Sequence, residues 1–390
     1  MQYSPIEKET ASSPASQPRF IALDGLRGVA AMVVVFSHFA AAFVPWLNPV
    51  SGALPLWVVD TPLGILINGT FSVSVFFVLS GYVVSRAASR GADPLYVNVV
   101  LRYLRLALPS AASTVLAWGL LTLFPRATEQ VYAILPHGWL FTLYHGAIPG
   151  IGNALEDGLA GVFLHGTSLW NGALWTMQLE AKASFAIYLV YALPKGRWRT
   201  LAGSICAIIS LVKPYYLGFT LGGWILSRQQ AGKPLRAPVW PTLAWGILLG
   251  FPAFGFSERV GLPRLPGFLK PGVFNSAVPQ LAAALIFLAI LHSPSIQERL
   301  SGPVCRFLGR VSFPLYLVHL PLLLTVFAAL YVRFHARWQT TILLVAFIAT
   351  SLLLATLVEA LVDRPILDGI AWTRRRTRSL ARPLVRSGAG

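Results

Sequence analysis

The amino-acid sequence predicts an all-α, polytopic membrane helical bundle. Of its 390 residues, 55% are hydrophobic and only 12% are charged, whereas a soluble domain carries roughly 25% charged residues. Long apolar runs follow one another, and most approach the roughly 20 residues that a helix needs to cross a bilayer. Basic residues are concentrated in alternate loops between these runs, which is how cytoplasmic loops are marked. Together these observations exclude a chain of two or three soluble domains.

We predict about ten transmembrane helices, with both termini on the cytoplasmic side. The predicted spans are 28–46, 62–84, 106–124, 172–193, 200–212, 214–227, 239–255, 276–292, 312–331 and 340–362. With this topology, 23 of the 31 Lys and Arg residues lie in cytoplasmic segments and only 7 in external loops, as the positive-inside rule requires. The net charge of +17 therefore marks membrane orientation and indicates no nucleic-acid partner.

The membrane domain is predicted to extend over residues 20–367, between two cytoplasmic tails. Residues 1–19 are rich in Ser, Pro and Glu, which predicts disorder. Residues 368–390 are rich in Arg, and such a tail is expected to lie on anionic headgroups, each basic residue contributing about 1 kcal/mol.

Two segments leave the topology open. A single helix over 200–227 would place Lys213 at mid-membrane, so the Lys213-Pro214 step favours a tight helical hairpin. Residues 125–171 form the longest loop, predicted to be external. Within this loop, Pro136-His137-Gly138 interrupts an apolar patch at 131–148, which favours a re-entrant or interfacial segment over a span.

An arginine and a histidine stand out in the first span. His38 is the only ionisable residue between Gly28 and Trp46, and an imidazole at bilayer depth is costly enough to be a functional hypothesis. Arg27 lies eleven residues earlier, on the same helix face and about 16 Å away along the axis. The alternative is an interfacial Arg that obeys the positive-inside rule and a His bonded within the bundle.

A pair of arginines begins the third span. Arg102 and Arg105 are three residues apart and share one helix face. Two guanidinium groups at the cytoplasmic edge suit bidentate recognition of phosphates. The alternative is that both residues only anchor the helix on the cytoplasmic side.

The fourth span carries a carboxylate and an ammonium group, Glu180 and Lys182. Each is expensive in a membrane, and two residues apart they point to nearly opposite faces. Glu180 lies near the depth of His38, and a carboxylate beside an imidazole raises its basicity and fixes its tautomer. The alternative is a structural ion pair of Glu180 or Lys182 with another helix.

Three further candidates are Ser80, Tyr316 and His319. Ser80 belongs to a run of small and aromatic residues that helix packing alone explains in most cases. His319 is a second intramembrane imidazole, for which a structural hydrogen bond and a direct role both stay open.

In chain order, these stretches resemble the membrane acyltransferase family 3. The resemblance rests on Leu23-Asp24-Gly25-Leu26-Arg27-Gly28, the Arg27/His38 spacing, Phe76-Phe77-Val78-Leu79-Ser80-Gly81, the Arg102/Arg105 pair, Leu174-Trp175-Thr176 before Glu180, Tyr316-Leu317-Val318-His319, and Glu359 through Pro365. Each motif is weak alone, but the ordered set covers nearly the whole chain. The sequence departs from the family pattern at Ser72 and Ser74, where Gly and Asp are frequent, and at Ala181-Lys182-Ala183 after the Glu.

The resemblance implies an integral-membrane acyltransferase that moves an acyl group, most simply acetyl, from acyl-CoA to a hydroxyl of a sugar or glycosylated acceptor. We expect acyl-CoA as a co-substrate and no bound cofactor. Cys206 and Cys305 offer no metal-ligand spacing, and we expect no metal.

The residues suggest a mechanism for this reaction. The cations Arg27, Arg102 and Arg105 would bind acyl-CoA from the cytoplasm. His38 would act as general base or transient acyl carrier, with Glu180 orienting its imidazole.

A carrier is the alternative from another functional class. It would move a small metabolite or an acylated product, with His38, Glu180 and His319 as a proton relay. A structural subunit would leave these intramembrane groups unexplained. We expect a multi-pass protein of a bacterial inner membrane, with a fungal endomembrane as the alternative, because Trp175-Thr176-Met177 resembles a subgroup also found in fungi.

Overall fold

The computed structural model describes residues 18–44, 61–135, 148–251 and 271–386, and this part of the chain is helical and contains no strand. The all-α prediction is therefore confirmed. The predicted disordered tail lies almost entirely outside the described residues.

Thirteen helices are numbered here in chain order along the described residues. They are α1 (Pro18–Phe43), α2 (Gly69–Ser89), α3 (Leu95–Leu123), α4 (Ala127–Ile134), α5 (151–165), α6 (Trp175–Ala192), α7 (Arg197–Val212), α8 (Leu217–Gln230), α9 (Val239–Gly250), α10 (Pro271–His292), α11 (Pro294–Leu300), α12 (303–333) and α13 (337–386). Wider π turns interrupt α5, α12 and α13 at Asp157–Gly161, Leu323–Phe327 and Glu359–Asp363.

Five helices are long and apolar enough to cross a membrane, namely α1, α2, α3, α12 and the first part of α13. The α10–α11 pair, bent by 102°, adds a sixth candidate. A multi-pass membrane protein is thus supported, whereas the predicted count of about ten spans is not reached among the described residues. The difference lies in length and charge, because α7, α8 and α9 are short and α6 carries Glu180 and Lys182.

The centre of the bundle is the parallel packing of α1 against α12. The two helices approach so closely at Gly28 and Gly309 that a Cβ on Gly28 would lie 2.4 Å from the backbone nitrogen of Gly309. Small residues at such crossings let helix backbones approach closely. Ten residues beyond each glycine stand His38 and His319, so this crossing sets the register that brings the two imidazoles together.

The predicted break at Lys213-Pro214 is confirmed. It separates α7 from α8, which lie side by side with a 2.6 Å hydrogen bond between the hydroxyls of Ser210 and Thr220.

The segment 125–171, predicted to be a loop, contains two helices, α4 and α5. Helix α5 runs antiparallel along α3, from the level of Thr114, whose hydroxyl donates to the Ala154 carbonyl at 2.7 Å, to that of Tyr103, whose hydroxyl donates to the Leu159 carbonyl. Residues 151–165 thus form a helix packed against α3 within a segment that was predicted to be a loop. The patch predicted to be re-entrant, 131–148, falls mostly outside the described residues.

The helix that contains the last predicted span, 340–362, continues beyond it to Arg386. Arg378 donates two hydrogen bonds, of 2.7 and 2.9 Å, to the carboxylate of Asp93 in the α2–α3 loop, and Arg374 approaches the same carboxylate. The hydrogen bond from Arg378 lowers the pKa of Asp93 below its ordinary value of 3.8. The start of the predicted basic tail is thus docked on the bundle.

Candidate active site

A cavity of about 170 Å³ lies between α1, α2, α3, α6 and α12. It collects six of the eight predicted site residues, Arg27, Ser80, Arg102, Arg105, Glu180 and Tyr316. His38 and His319 are not among its lining residues and lie deeper in the bundle.

A polar network on the cavity wall joins three helices through Arg102 of α3. Its guanidinium donates to the Glu180 carboxylate at 2.6 Å and to the Ser184 hydroxyl at 2.9 Å. The Ser80 hydroxyl of α2 donates to the same Glu180 oxygen at 2.6 Å. Both charged side chains are largely buried, so each depends on the other for compensation.

The predicted contact of Glu180 with His38 is therefore corrected. The carboxylate is bound by Arg102 and Ser80 instead, which is the structural ion pair that the sequence left as an alternative. A carboxylate in a poorly solvated site is stabilised more by a permanent cation than by a neutral imidazole. Lys182 lies exposed on the other side of α6, as its spacing from Glu180 predicts.

The second arginine of α3 is also paired. Arg105 binds both oxygens of Asp363, in the π turn of α13, at 2.5 and 3.3 Å. Its guanidinium also lies over the Phe313 ring, 4.7 Å from the centroid.

Arg27 differs from the other two arginines. Its guanidinium lies 5.9 Å from the centroid of the same Phe313 ring, and no carboxylate of the described residues forms a salt bridge with it. Among the three cavity arginines, Arg27 is thus the one whose charge is available to an anionic ligand.

The two histidines form a directly bonded pair. Nδ1 of His38 lies 2.8 Å from Nε2 of His319, and the rings are nearly parallel, at 4°. The other nitrogen of His319, Nδ1, lies 2.9 Å from the Leu315 carbonyl. A carbonyl only accepts, so Nδ1 of His319 carries a proton and its neutral ring accepts at Nε2 from Nδ1–H of His38. This order of donors places the lone pair of His38 on Nε2.

Sequence reasoning missed the polar residues that support α12 beside this pair. Pro321 has no N–H, so the Leu317 carbonyl one turn earlier lacks its helical partner. It accepts instead from Ser113 of α3 and from Asn171, each at 2.8 Å. The signal that was available is the proline itself, because it frees a carbonyl at a known position.

Tyr316 is fixed by the chain segment that leads into α6. Its hydroxyl donates to the Ala173 carbonyl and lies 2.7 Å from the Thr176 hydroxyl, which donates in turn. Tyr316 is thus a rigid part of the inner end of the cavity, one helical turn before His319.

No group of three or more His, Cys, Asp or Glu side chains in the described ranges is arranged to hold a metal ion. The arrangement can instead bind an anion at Arg27 and accept a proton at His38.

Comparisons with known proteins give the class of reaction. Residues 20–359 match the family described as an acyltransferase domain. O-acetyltransferase PaAT-1 of Phomopsis amygdali is 26% identical over an alignment covering 91% of this chain and 84% of the relative. Acyltransferase clz18 of Cochliobolus lunatus is 23% identical, with 80% of this chain and 84% of the relative covered. No solved structure matches the chain.

The matched range includes both histidines and all six predicted residues of the cavity. This match favours an enzyme over the carrier that the sequence left as an alternative. The chain belongs to the acyltransferase domain family, the membrane acyltransferase family 3 of the sequence resemblance, and is a membrane O-acyltransferase.

Proposed function

We propose that the protein transfers an acyl group, most simply acetyl, from acyl-CoA to a hydroxyl of a sugar or glycosylated acceptor. The observation that carries this proposal is the hydrogen-bond order from the Leu315 carbonyl through His319 to His38. It gives the partly exposed imidazole of His38 one defined basic atom, Nε2. A relative named an O-acetyltransferase supports the acetyl group and the oxygen acceptor.

The arginine cavity suits the donor. Three guanidinium groups line it, and Arg102 and Arg105 are compensated by carboxylates. Arg27 is therefore the group that would bind a phosphate of coenzyme A. The cavity volume of about 170 Å³ is below the roughly 300–1,000 Å³ of pockets that enclose a whole ligand. A narrow thioester arm fits such a space, while the nucleotide would stay at the mouth.

The acceptor would approach His38 from another direction. His38 is partly exposed although it does not line the arginine cavity, so its accessible surface lies outside that cavity. His319 is completely buried. Donor and acceptor would thus meet at His38 from two sides, with residues 125–171 as the expected route of the acceptor.

The proposed chemistry uses His38 as general base. Nε2 takes the proton of the acceptor hydroxyl while the oxygen of that hydroxyl attacks the carbonyl carbon of the thioester. The carbon–sulfur bond then breaks, and the coenzyme A thiolate takes the proton from His38. His319 stabilises the transient imidazolium by accepting its Nδ1–H. A positioned general base of this kind typically contributes about 10²–10⁴-fold in rate.

The test is transfer from labelled acetyl-CoA to a panel of glycans and glycosylated metabolites by the purified protein in lipid nanodiscs. His38→Ala is expected to lower transfer at least about 100-fold with unchanged thermal stability and acetyl-CoA binding. His292→Ala is the matched control, because His292 bonds only within its own helix in the described structure, to the Leu288 carbonyl. Full activity of His38→Ala would overturn the mechanism, and substrate transport without acetyl-CoA consumption would overturn the function.

A further inference from the structure

We infer that Phe76 forms the barrier between the arginine cavity and the histidine pair, and that its size limits the length of the acyl group. This inference rests on the proposed function. It assigns an acyl-chain subsite to the inner, apolar end of the cavity.

The first observation is where the cavity ends. On α1 it is lined by Leu23, Asp24 and Arg27 only, and His38 lies about 16 Å further along this helix. On α12 the innermost lining residue is Tyr316, three residues or about 4.5 Å before His319. A thioester held by Arg27 therefore has to pass this inner end to reach His38.

The second observation is the position of Phe76 on α2. This helix meets α1 at the depth of the histidines, because a Cβ on Gly69 would lie 2.9 Å from the Ser37 hydroxyl. Phe76 follows seven residues, or about 10 Å, later along α2, and Ser80 reaches the Arg102–Glu180 pair one turn beyond it. Phe76 thus lies between the histidine level and the arginine level.

The third observation is how differently the residues of this inner end are held. Tyr316 and Thr176 are fixed by hydrogen bonds to each other, and Tyr316 also to the Ala173 carbonyl. Met177 is buried. Phe76 has no polar atom, is partly exposed, and meets Tyr316 edge-on with centroids 6.3 Å apart. Rotation of its ring therefore breaks no hydrogen bond.

The fourth observation is that Phe76 packs against three separate hydrophobic clusters of the bundle and lies where they meet. Because its contacts are divided among three clusters, a side chain at such a junction can move while the packing within each cluster stays in place. The neighbouring ring, Phe77, is instead buried and stacked on Phe219. Phe76 is thus the inner-end side chain best placed to swing aside, and a smaller residue there leaves space for a longer acyl chain.

The barrier is tested by an assay that does not depend on catalysis. In a background lacking Cys206 and Cys305, His38→Cys is labelled with an anionic methanethiosulfonate added on the Arg27 side of sealed membrane vesicles. Adding Phe76→Ala is expected to raise the labelling rate at least tenfold. Val83→Ala, which changes the exposed mouth of the same cavity, leaves the rate unchanged. An unchanged rate with Phe76→Ala overturns the barrier.

The chain-length role is tested by kcat/KM for acetyl-, butyryl- and hexanoyl-CoA with one acceptor. Phe76→Ala is expected to raise the hexanoyl-to-acetyl ratio at least tenfold, since one methylene in a tight apolar site changes kcat/KM by about 10–200-fold. Phe76→Leu keeps an apolar side chain in case the alanine variant is unstable, and it is expected to shift the same ratio by a smaller factor. A ratio unchanged in both variants overturns the acyl subsite. Faster labelling in a protein that transfers nothing from any acyl-CoA upholds the barrier and overturns the proposed function and its subsite.

Discussion

The arginine end of the bundle, at the cavity, and the histidine end, at the His38–His319 pair, accommodate ionisable side chains in two different ways. At the arginine end, Arg102 and Arg105 keep full charges, each with a carboxylate and beside an open cavity. At the histidine end, His38 and His319 are bonded to each other and onward to a helix carbonyl. The difference teaches that this chain holds permanent charge where a cavity adjoins it and uses neutral hydrogen bonds deeper, where an ion costs more.

The two ends nevertheless share one pair of helices, because α1 and α12 line the cavity at Arg27 and Phe313 and also carry the two histidines. The crossing of α1 and α12 at Gly28 and Gly309 lies next to Arg27 in the sequence. Ten residues onward it delivers the histidine pair. A change in this crossing would therefore disturb both ends together, whereas changes of single side chains separate them.

The largest effect is expected from removing the hydrogen bond between His38 and His319 at the histidine end. His319→Leu removes the acceptor of the His38 Nδ1–H, so the basic atom is no longer defined, and we expect kcat to fall about 100-fold. His319→Gln offers a carbonyl oxygen that can accept the same hydrogen bond, and its loss is expected to be about tenfold smaller. His335→Leu, outside the site, is the control. Equal losses in the Leu and Gln variants would contradict the assigned order of donors.

A smaller effect is expected at the arginine end. Substitutions there distinguish Arg27, which is proposed to bind the donor, from Arg102, which is paired with Glu180. Arg27→Gln is expected to raise the KM for acyl-CoA about tenfold with little change in thermal stability, because no carboxylate of the described residues forms a salt bridge with Arg27. Arg102→Gln leaves the Glu180 carboxylate poorly compensated and is expected to cost about 1.5–3 kcal/mol of stability. The measurements are donor KM and thermal unfolding in nanodiscs. A raised KM with unchanged unfolding in Arg102→Gln would assign the donor to Arg102 instead.

Features that lie within one helix were predictable from the sequence, whereas contacts between helices were not. The Arg27/His38 spacing is a property of one helix, and in the structure Arg27 lines the cavity while His38 lies three turns further along α1. The partner of Glu180 was not predictable, because it depends on how α2, α3 and α6 pack. The His38–His319 contact had a sequence signal, the equal offsets from Gly28 and Gly309, which is readable only once α1 and α12 are known to be parallel neighbours.

The smallest effect is expected at Asp93, where the arginine end meets the docked part of α13. The lowered pKa of Asp93 means that its pairing with Arg378 stabilises the fold above the ordinary pKa of 3.8 and is lost as pH falls through the lowered value. Arg378 is half-exposed, so Asp93→Asn is expected to cost only about 1 kcal/mol or less. Unfolding curves of the variant and the unaltered protein should differ at pH 7 and converge in strong acid. Because the Arg105–Asp363 pair holds α13 independently, acyl transfer by Asp93→Asn should be unaffected. A large loss of activity would show that the contact of Asp93 with Arg378, and not the Arg105–Asp363 pair, positions the cavity arginines.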